Sequence, residues 1–167
     1  MNDYRLEDEV RIPSSALRAL AAAADRGGEV VAAAVRDAGR AAGEEITRRI
    51  AHAVPLLELD TDDFWSAVNA ETDARGLGSF EWERGIGGHA RLRVLGAPER
   101  GEGGTPFTEG LIEGLLGTAA EEPVGVVRAP FDGGEGIRFV IGAPVALRHV
   151  HLRLRGGATL EQAVEGI

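Results

Sequence analysis

Leu77-Gly78-Ser79-Phe80-Glu81-Trp82-Glu83-Arg84, then Gly85-Ile86-Gly87-Gly88, then His89-Ala90-Arg91-Leu92-Arg93-Val94-Leu95 is the stretch in which the chain changes period. Before it, apolar residues recur every three or four positions. Within it they alternate: Phe80 and Trp82 share one face of the first run, and Ala90, Leu92 and Val94 share one face of the second. Two alternating runs around a glycine-rich tetrapeptide read as a β-hairpin. A hairpin set among helical segments makes the chain α+β rather than a helical bundle.

Working upstream, Asp60 or Thr61 caps a helix that runs to about Arg75 and stops at Gly76, with Phe64, Trp65, Val68 and Thr72 facing inward. Before that lies a longer helix, from about Glu29 to Ala53, closed by Pro55. Its stripe is Val31, Ala34, Val35, Ala38, Ala42, Ile46 and Ile50. Gly39 and Gly43 sit one turn apart, where another helix can approach closely; core packing is the commoner meaning of such a pair and a dimer seam the rarer. A first helix, Ala16–Ala24, is capped by Ser14 or Ser15 and ended by Arg26-Gly27-Gly28. Residues Met1–Arg11 read as a loose arm, and residues 12–167 as one domain.

Downstream, Gly96–Gly104 is charged, glycine-rich and poor in apolar residues, so it reads as a loop. Phe107 then precedes a helix capped by Thr108, with Leu111, Ile112, Leu115 and Leu116 inward. Two further strands, Val124–Ala129 and Ile137–Ile141, are joined through Asp132-Gly133-Gly134. Val145–Arg155 alternates like a strand, but Leu147, Val150, His151 and Leu154 keep helical spacing between Pro144 and Gly156-Gly157, so it reads as helix. A last helix starts at Thr159, with Gln162 completing a capping box, and buries Leu160, Ala163, Val164 and Ile167. The expected architecture is an antiparallel sheet of about four strands packed against helices, in the order ααα-ββ-α-ββ-αα.

Composition narrows the chemistry. The 167 residues carry a net charge of −9, which argues against a phosphate backbone or an anionic membrane as main partner. No run approaches the ~20 apolar residues of a membrane span, and the acidic start is wrong for a signal peptide. A cytoplasmic location follows as the expectation. Cysteine is absent, and all 18 basic residues are arginine. Disulfides, thiolate metal sites, Schiff bases and a phosphate-loop lysine are thereby excluded.

No catalytic constellation stands out. His149 and His151, two apart on a helix, point about 200° from each other and cannot share a metal. His89 opens a strand beside glycines, and His52 lies at a helix end, where an imidazolium suits the dipole. The four serines, at positions 14, 15, 66 and 79, form no nucleophile elbow. Glu109 and Glu113 share one helical face; such a pair can serve acid–base work or hold a hard cation, but the commoner reading, taken here, is a solvated surface. What remains is aromatic. Phe64, Trp65, Phe80, Trp82, Phe107, Phe131 and Phe139 are seven of eight aromatics, and all fall from the third helix onward. They read either as ordinary core or as the wall of an apolar small-molecule pocket.

Three blocks carry a family resemblance: Phe107-Thr108-Glu109-Gly110-Leu111-Ile112-Glu113-Gly114-Leu115-Leu116, Pro123-Val124-Gly125-Val126-Val127, and Arg138-Phe139-Val140-Ile141-Gly142-Ala143-Pro144. Together with Ala38-Gly39-Arg40-Ala41-Ala42-Gly43-Glu44-Glu45-Ile46 and the Thr159–Ala163 tail, they resemble the bacterial 4-vinyl reductase (hydrocarbon-binding) domain family over most of residues 30–165. The resemblance implies a twisted antiparallel sheet with helices against it, as in small subunits of vesicle-tethering complexes, and a dimeric state. It also implies the binding of small apolar molecules, as in aromatic-hydrocarbon sensor domains. Metal-binding members carry a glutamate and cysteines where Val126, Ala129 and Ile137 look like the matching positions, and Phe107 lacks a preceding cysteine. No metal ligand carries over, and no zinc site or other cofactor is expected.

These readings converge on a non-enzymatic sensory domain that holds a small hydrophobic ligand between helices and sheet. Phe64, Trp65, Phe80, Trp82, Phe107, Leu111 and Phe139 are its candidate lining. The expected partners are that ligand, a second copy of the chain in a homodimer, and an unidentified protein that receives the signal. An adaptor module without ligand is the alternative, followed by an accessory protein of tetrapyrrole metabolism.

Overall fold

The computed structural model describes residues 13–83, 89–99, 105–130 and 134–165. The arm at Met1–Arg11, the turn at Gly85–Gly88 and Phe131 lie outside them. Helix α1 spans Ser14–Ala53 but is broken at Gly28 (φ 70°, ψ −165°), a conformation that disfavours any side chain. The two helical segments expected on either side of Gly27-Gly28 are therefore both present. Pro13 occupies the N-cap, so neither serine caps. The buried line of the longer segment is Val35, Gly39, Gly43, Ile46, Thr47 and Ile50. Ala34 and Ala38 are exposed, because close contact on the glycine side turns the helix away from the alanine stripe.

Helix α2 (Thr61–Ala74) is capped by Asp60, whose side chain accepts from the Asp63 amide at 2.9 Å, and it gives way to Gly76 at φ 68°. Strands β1 (Ser79–Glu83) and β2 (Ala90–Leu95) pair antiparallel, with Phe80 opposite Val94 and Trp82 opposite Leu92. Helix α3 (Pro106–Ala120) starts earlier than its sequence suggests. Thr105 is its N-cap, Pro106 takes the first position, and Thr108 lies inside the first turn. Strands β3 (Gly125–Arg128) and β4 (Ile137–Gly142) pair antiparallel, and helix α4 (Pro144–Arg155) confirms the helical reading of that segment. Helix α5 (Leu160–Val164) opens with the Thr159/Gln162 capping box.

The sheet order is β1-β2-β4-β3, with both hairpins joined through the β2–β4 pair. One face carries Phe80, Leu92, Val94, Phe139, Ile141 and Val126, and packs into a single core with α1, α2 and α3. On the other face Val140 and Val127 pack against Leu147, Val150, Ala163 and Val164 of α4 and α5. The rest of that face is a ladder of charge: Arg93 reaches Glu81 at 2.7 Å and Glu83 at 3.3 Å, and Arg138 reaches Glu83 at 3.7 Å.

Side chains occupy both sheet edges. The Asn69 carboxamide of α2 accepts from the Phe80 amide at 2.6 Å and donates to the Phe80 carbonyl at 2.9 Å, standing in for a neighbouring strand on β1. On β3, the Arg36 guanidinium donates to the Val126 carbonyl at 3.2 Å. Exposed backbone at these points would otherwise invite edge-to-edge pairing.

The α1–α3 crossing joins two glycine pairs. A Cβ on Gly39 would strike the Phe107 carbonyl oxygen, and one on Gly43 the Leu111 carbonyl oxygen. Reciprocally, Gly110 faces the Arg36 carbonyl and Gly114 the Arg40 carbonyl. The Gly39/Gly43 face is thus an intramolecular seam, filled by α3. A dimer contact through it is ruled out by occupancy.

Candidate ligand site

The residues singled out as pocket lining do meet. Trp65 of α2 stacks on Phe80 (ring centroids 6.1 Å apart) and on Trp82 (5.6 Å), while Phe64 meets Trp65 edge-on at 5.4 Å. Phe107, Leu111 and Phe139 belong to the same core. Six of the seven are wholly or partly buried; Trp82 alone counts as exposed, with 38% of its surface open. Trp65, Phe80, Leu111 and Phe139 are each buried to 6% exposure or less.

The Glu109/Glu113 face is not a solvated one. Arg36 of α1 holds Glu113 through two bonds, at 2.6 and 3.2 Å, and Glu109 at 2.7 Å; Arg40 adds a bond to Glu113 at 3.0 Å. The glycine seam brings the helices close enough for this. Burial raises the Glu109 carboxyl above its ordinary value, opposed by Arg36 and by the Thr105 hydroxyl at 3.1 Å. For Arg36, burial works against the charge, but Glu113 and Glu109 outweigh it and its pKa is raised.

A cavity of about 970 Å³ opens at the end of the sheet, where β2 and β3 finish, β4 begins, and the last turn of α4 passes. Val94, Ala97, Val127, Ala129, Ile137 and Leu154 supply its apolar wall. Arg128, Arg138, His151, Arg155, Glu99 and Glu135 supply the polar one. This volume lies within the range of pockets for small organic molecules.

Glu99 is the unusual member, because a carboxylate with 2% exposure is rare unless answered. It is answered by α3. The Phe107 amide donates to Oε1 at 3.0 Å and the Thr108 amide to Oε2 at 2.7 Å, so Glu99 caps the helix that Thr105 leaves without a side-chain bond. Burial raises its pKa, partly offset by these hydrogen bonds. Its signal in the sequence is slight: one acid in a charged loop ahead of Thr105-Pro106.

The histidines do not gather. His52, His149 and His151 are exposed, on α1 and α4, whereas His89 is half-buried beside Gly142, and its Nε2 meets no hydrogen-bond partner among the described residues. Among the described residues, no three or more His, Cys, Asp or Glu side chains converge as metal ligands. Of the positions that the family resemblance sets against metal ligands, Ala129 and Ile137 form apolar cavity wall and Val126 is buried core. Hydrocarbon offers no donor, so these residues do not fit a metal.

No protein-family model matches the chain, and no curated protein does. Among solved structures, the chain is similar to the phenol-responsive sensory domain of the transcription activator PoxR, crystallised with phenol. The TM-score is 0.61 at 11% identity, over 80% of this chain and 75% of that one. At this identity the likeness is one of fold alone.

Proposed function

We propose that this protein is a non-enzymatic sensory domain that binds a small hydrophobic molecule in the cavity at the end of the sheet. The observation that carries the reading is the apolar-walled volume bounded by β2, β3, β4 and α4, in a fold shared with a domain that responds to phenol. Filling it removes the partly exposed Leu95, Val127, Ile137 and Leu154 from water, at about 25 cal/mol per Å² of apolar surface. The seven residues named from the sequence give a second placement, with Phe64 and Trp82 as an outer rim over Trp65. The partial exposure of Trp82 favours it. The working form proposed is a homodimer whose interface lies away from the α1–α3 seam.

Native mass spectrometry of freshly purified protein, followed by thermal melting against small aromatics, alkylated phenols, fatty acids and tetrapyrroles, tests the reading. A ligand at a hundredfold excess over Kd adds about 2.7 kcal/mol and raises Tm by roughly 5–10 °C. A bare chain mass with no stabilising compound would instead favour the adaptor module, for which the packed aromatic core is the supporting observation. Sedimentation at micromolar concentration showing only a 17.6 kDa species would refute the dimer.

A further inference from the structure

We propose that the natural ligand of the sheet-end cavity is an amphipathic organic anion, an apolar body with a carboxylate head, bound with its head toward Arg155 at the end of α4. The inference rests on the proposal that this cavity is the ligand site, and adds the chemical class.

Charge placement carries it. The chain as a whole is acidic, with 27 acidic residues against 18 basic ones. At this mouth the balance reverses, since Arg128, Arg138 and Arg155 face two glutamates, with His151 beside them. Glu99 is committed inward, both its oxygens taken by amides of α3, so its charge is answered within the protein. Glu135 is exposed on the hairpin. Arg138 lies 3.7 Å from Glu83.

Arg155 differs from its neighbour. Arg153 donates to the carbonyls of Gln162, Ala163 and Glu165 and so ties α4 to α5. The Arg155 guanidinium ties nothing together, since among the described residues it enters no hydrogen bond or ion pair. It is exposed, two positions from Arg153, and lines the cavity one residue after Leu154. A guanidinium next to an apolar wall suits a carboxylate, which it can hold through two parallel bonds. His151, one turn back on the same helix, can share that head group.

The test uses four near-isosteric probes on the full chain: 4-propylbenzoate, 4-propylbenzamide, 4-propylphenol and propylbenzene, measured by calorimetry in wild type and Arg155→Gln. The expected result is benzoate binding about tenfold more tightly than benzamide, with that preference lost in Arg155→Gln and the neutral probes unchanged. The exposed position keeps the variant folded, and its Tm checks this. If the neutral probes bind as tightly as the benzoate, or if Arg155→Gln leaves the preference intact, the anion inference is wrong while the cavity reading stands. If none of the four binds, both are wrong.

Discussion

The α1–α3 crossing and the open end of the sheet are built from opposite materials. At the crossing, Gly39, Gly43, Gly110 and Gly114 let two backbones touch, and no room is left even for a methyl group. At the sheet end, residues of ordinary size from three strands and a helix leave about 970 Å³ between them. The residues most conspicuous in the sequence, glycines and aromatics, serve closure. The cavity is made mostly by residues the sequence does not mark out as a site; Ala129 and Ile137 stand out only through the family resemblance, as positions where a metal ligand is missing. A candidate site can thus arise where elements end, with little signature of its own in the sequence.

The contrast should be broken most severely at the seam. Gly110→Ala places a methyl group on the Arg36 carbonyl and is expected to cost about 3 kcal/mol. Gly117→Ala, in the same helix, meets only the Glu122 carbonyl at 3.4 Å and should be neutral or slightly stabilising. Denaturant unfolding of the two variants decides this, and equal losses would show that the crossing is looser than described. Next in size is Arg36→Met. It leaves Glu109 and Glu113 partly buried without their main cation, and should cost about 2 kcal/mol, less than for a fully buried pair because Arg36 is about one-third exposed.

Glu99 links the two regions, lining the cavity and capping the helix of the seam. Its pKa is raised on folding, so between the ordinary carboxylate value of 4.5 and that raised value the folded state holds more proton than the unfolded one. Stability contributed there is present at the acidic end and declines as pH rises through the folded pKa. Glu109 acts in the same direction. Melting of Glu99→Gln across pH 4.5–8 should show a flatter profile than wild type. An unchanged slope would mean that Glu99 has no part in the pH dependence.

The smallest expected effect concerns the aromatics. Trp65→Phe, at a buried ring stacked on two others, should cost about 1–2 kcal/mol, whereas Trp82→Phe at the exposed rim should fall within about 0.5 kcal/mol. Reversed magnitudes would mean that Trp82, not Trp65, anchors the cluster.

Much of the fold is legible in the sequence because its signals are local. The period change at Leu77, the Asp60 and Thr159 caps, and the Gly28 and Gly76 stops each act within a few residues. Sequence reading fails where a distant partner decides. Thr108 resembles a cap, but the cap of α3 is completed by Glu99, eight and nine residues before the amides it accepts from. Glu109 and Glu113 resemble a solvated pair because Arg36 lies 73 and 77 positions away. The site is the least legible part, since Val94, Ala129, Ile137 and Arg155 meet only through the β1-β2-β4-β3 order and the path of α4.

Amide shift mapping of the ¹⁵N-labelled chain, titrated with 4-propylbenzoate and then with 4-propylphenol, tests the central claim most directly. We predict saturable shifts clustered at Val94, Ala97, Ala129, Ile137 and Leu154, with Gly39, Gly43, Gly110 and Gly114 unmoved. No saturable shift with either compound, or the largest shifts at Phe64, Trp65 and Trp82, would contradict a ligand site at the end of the sheet.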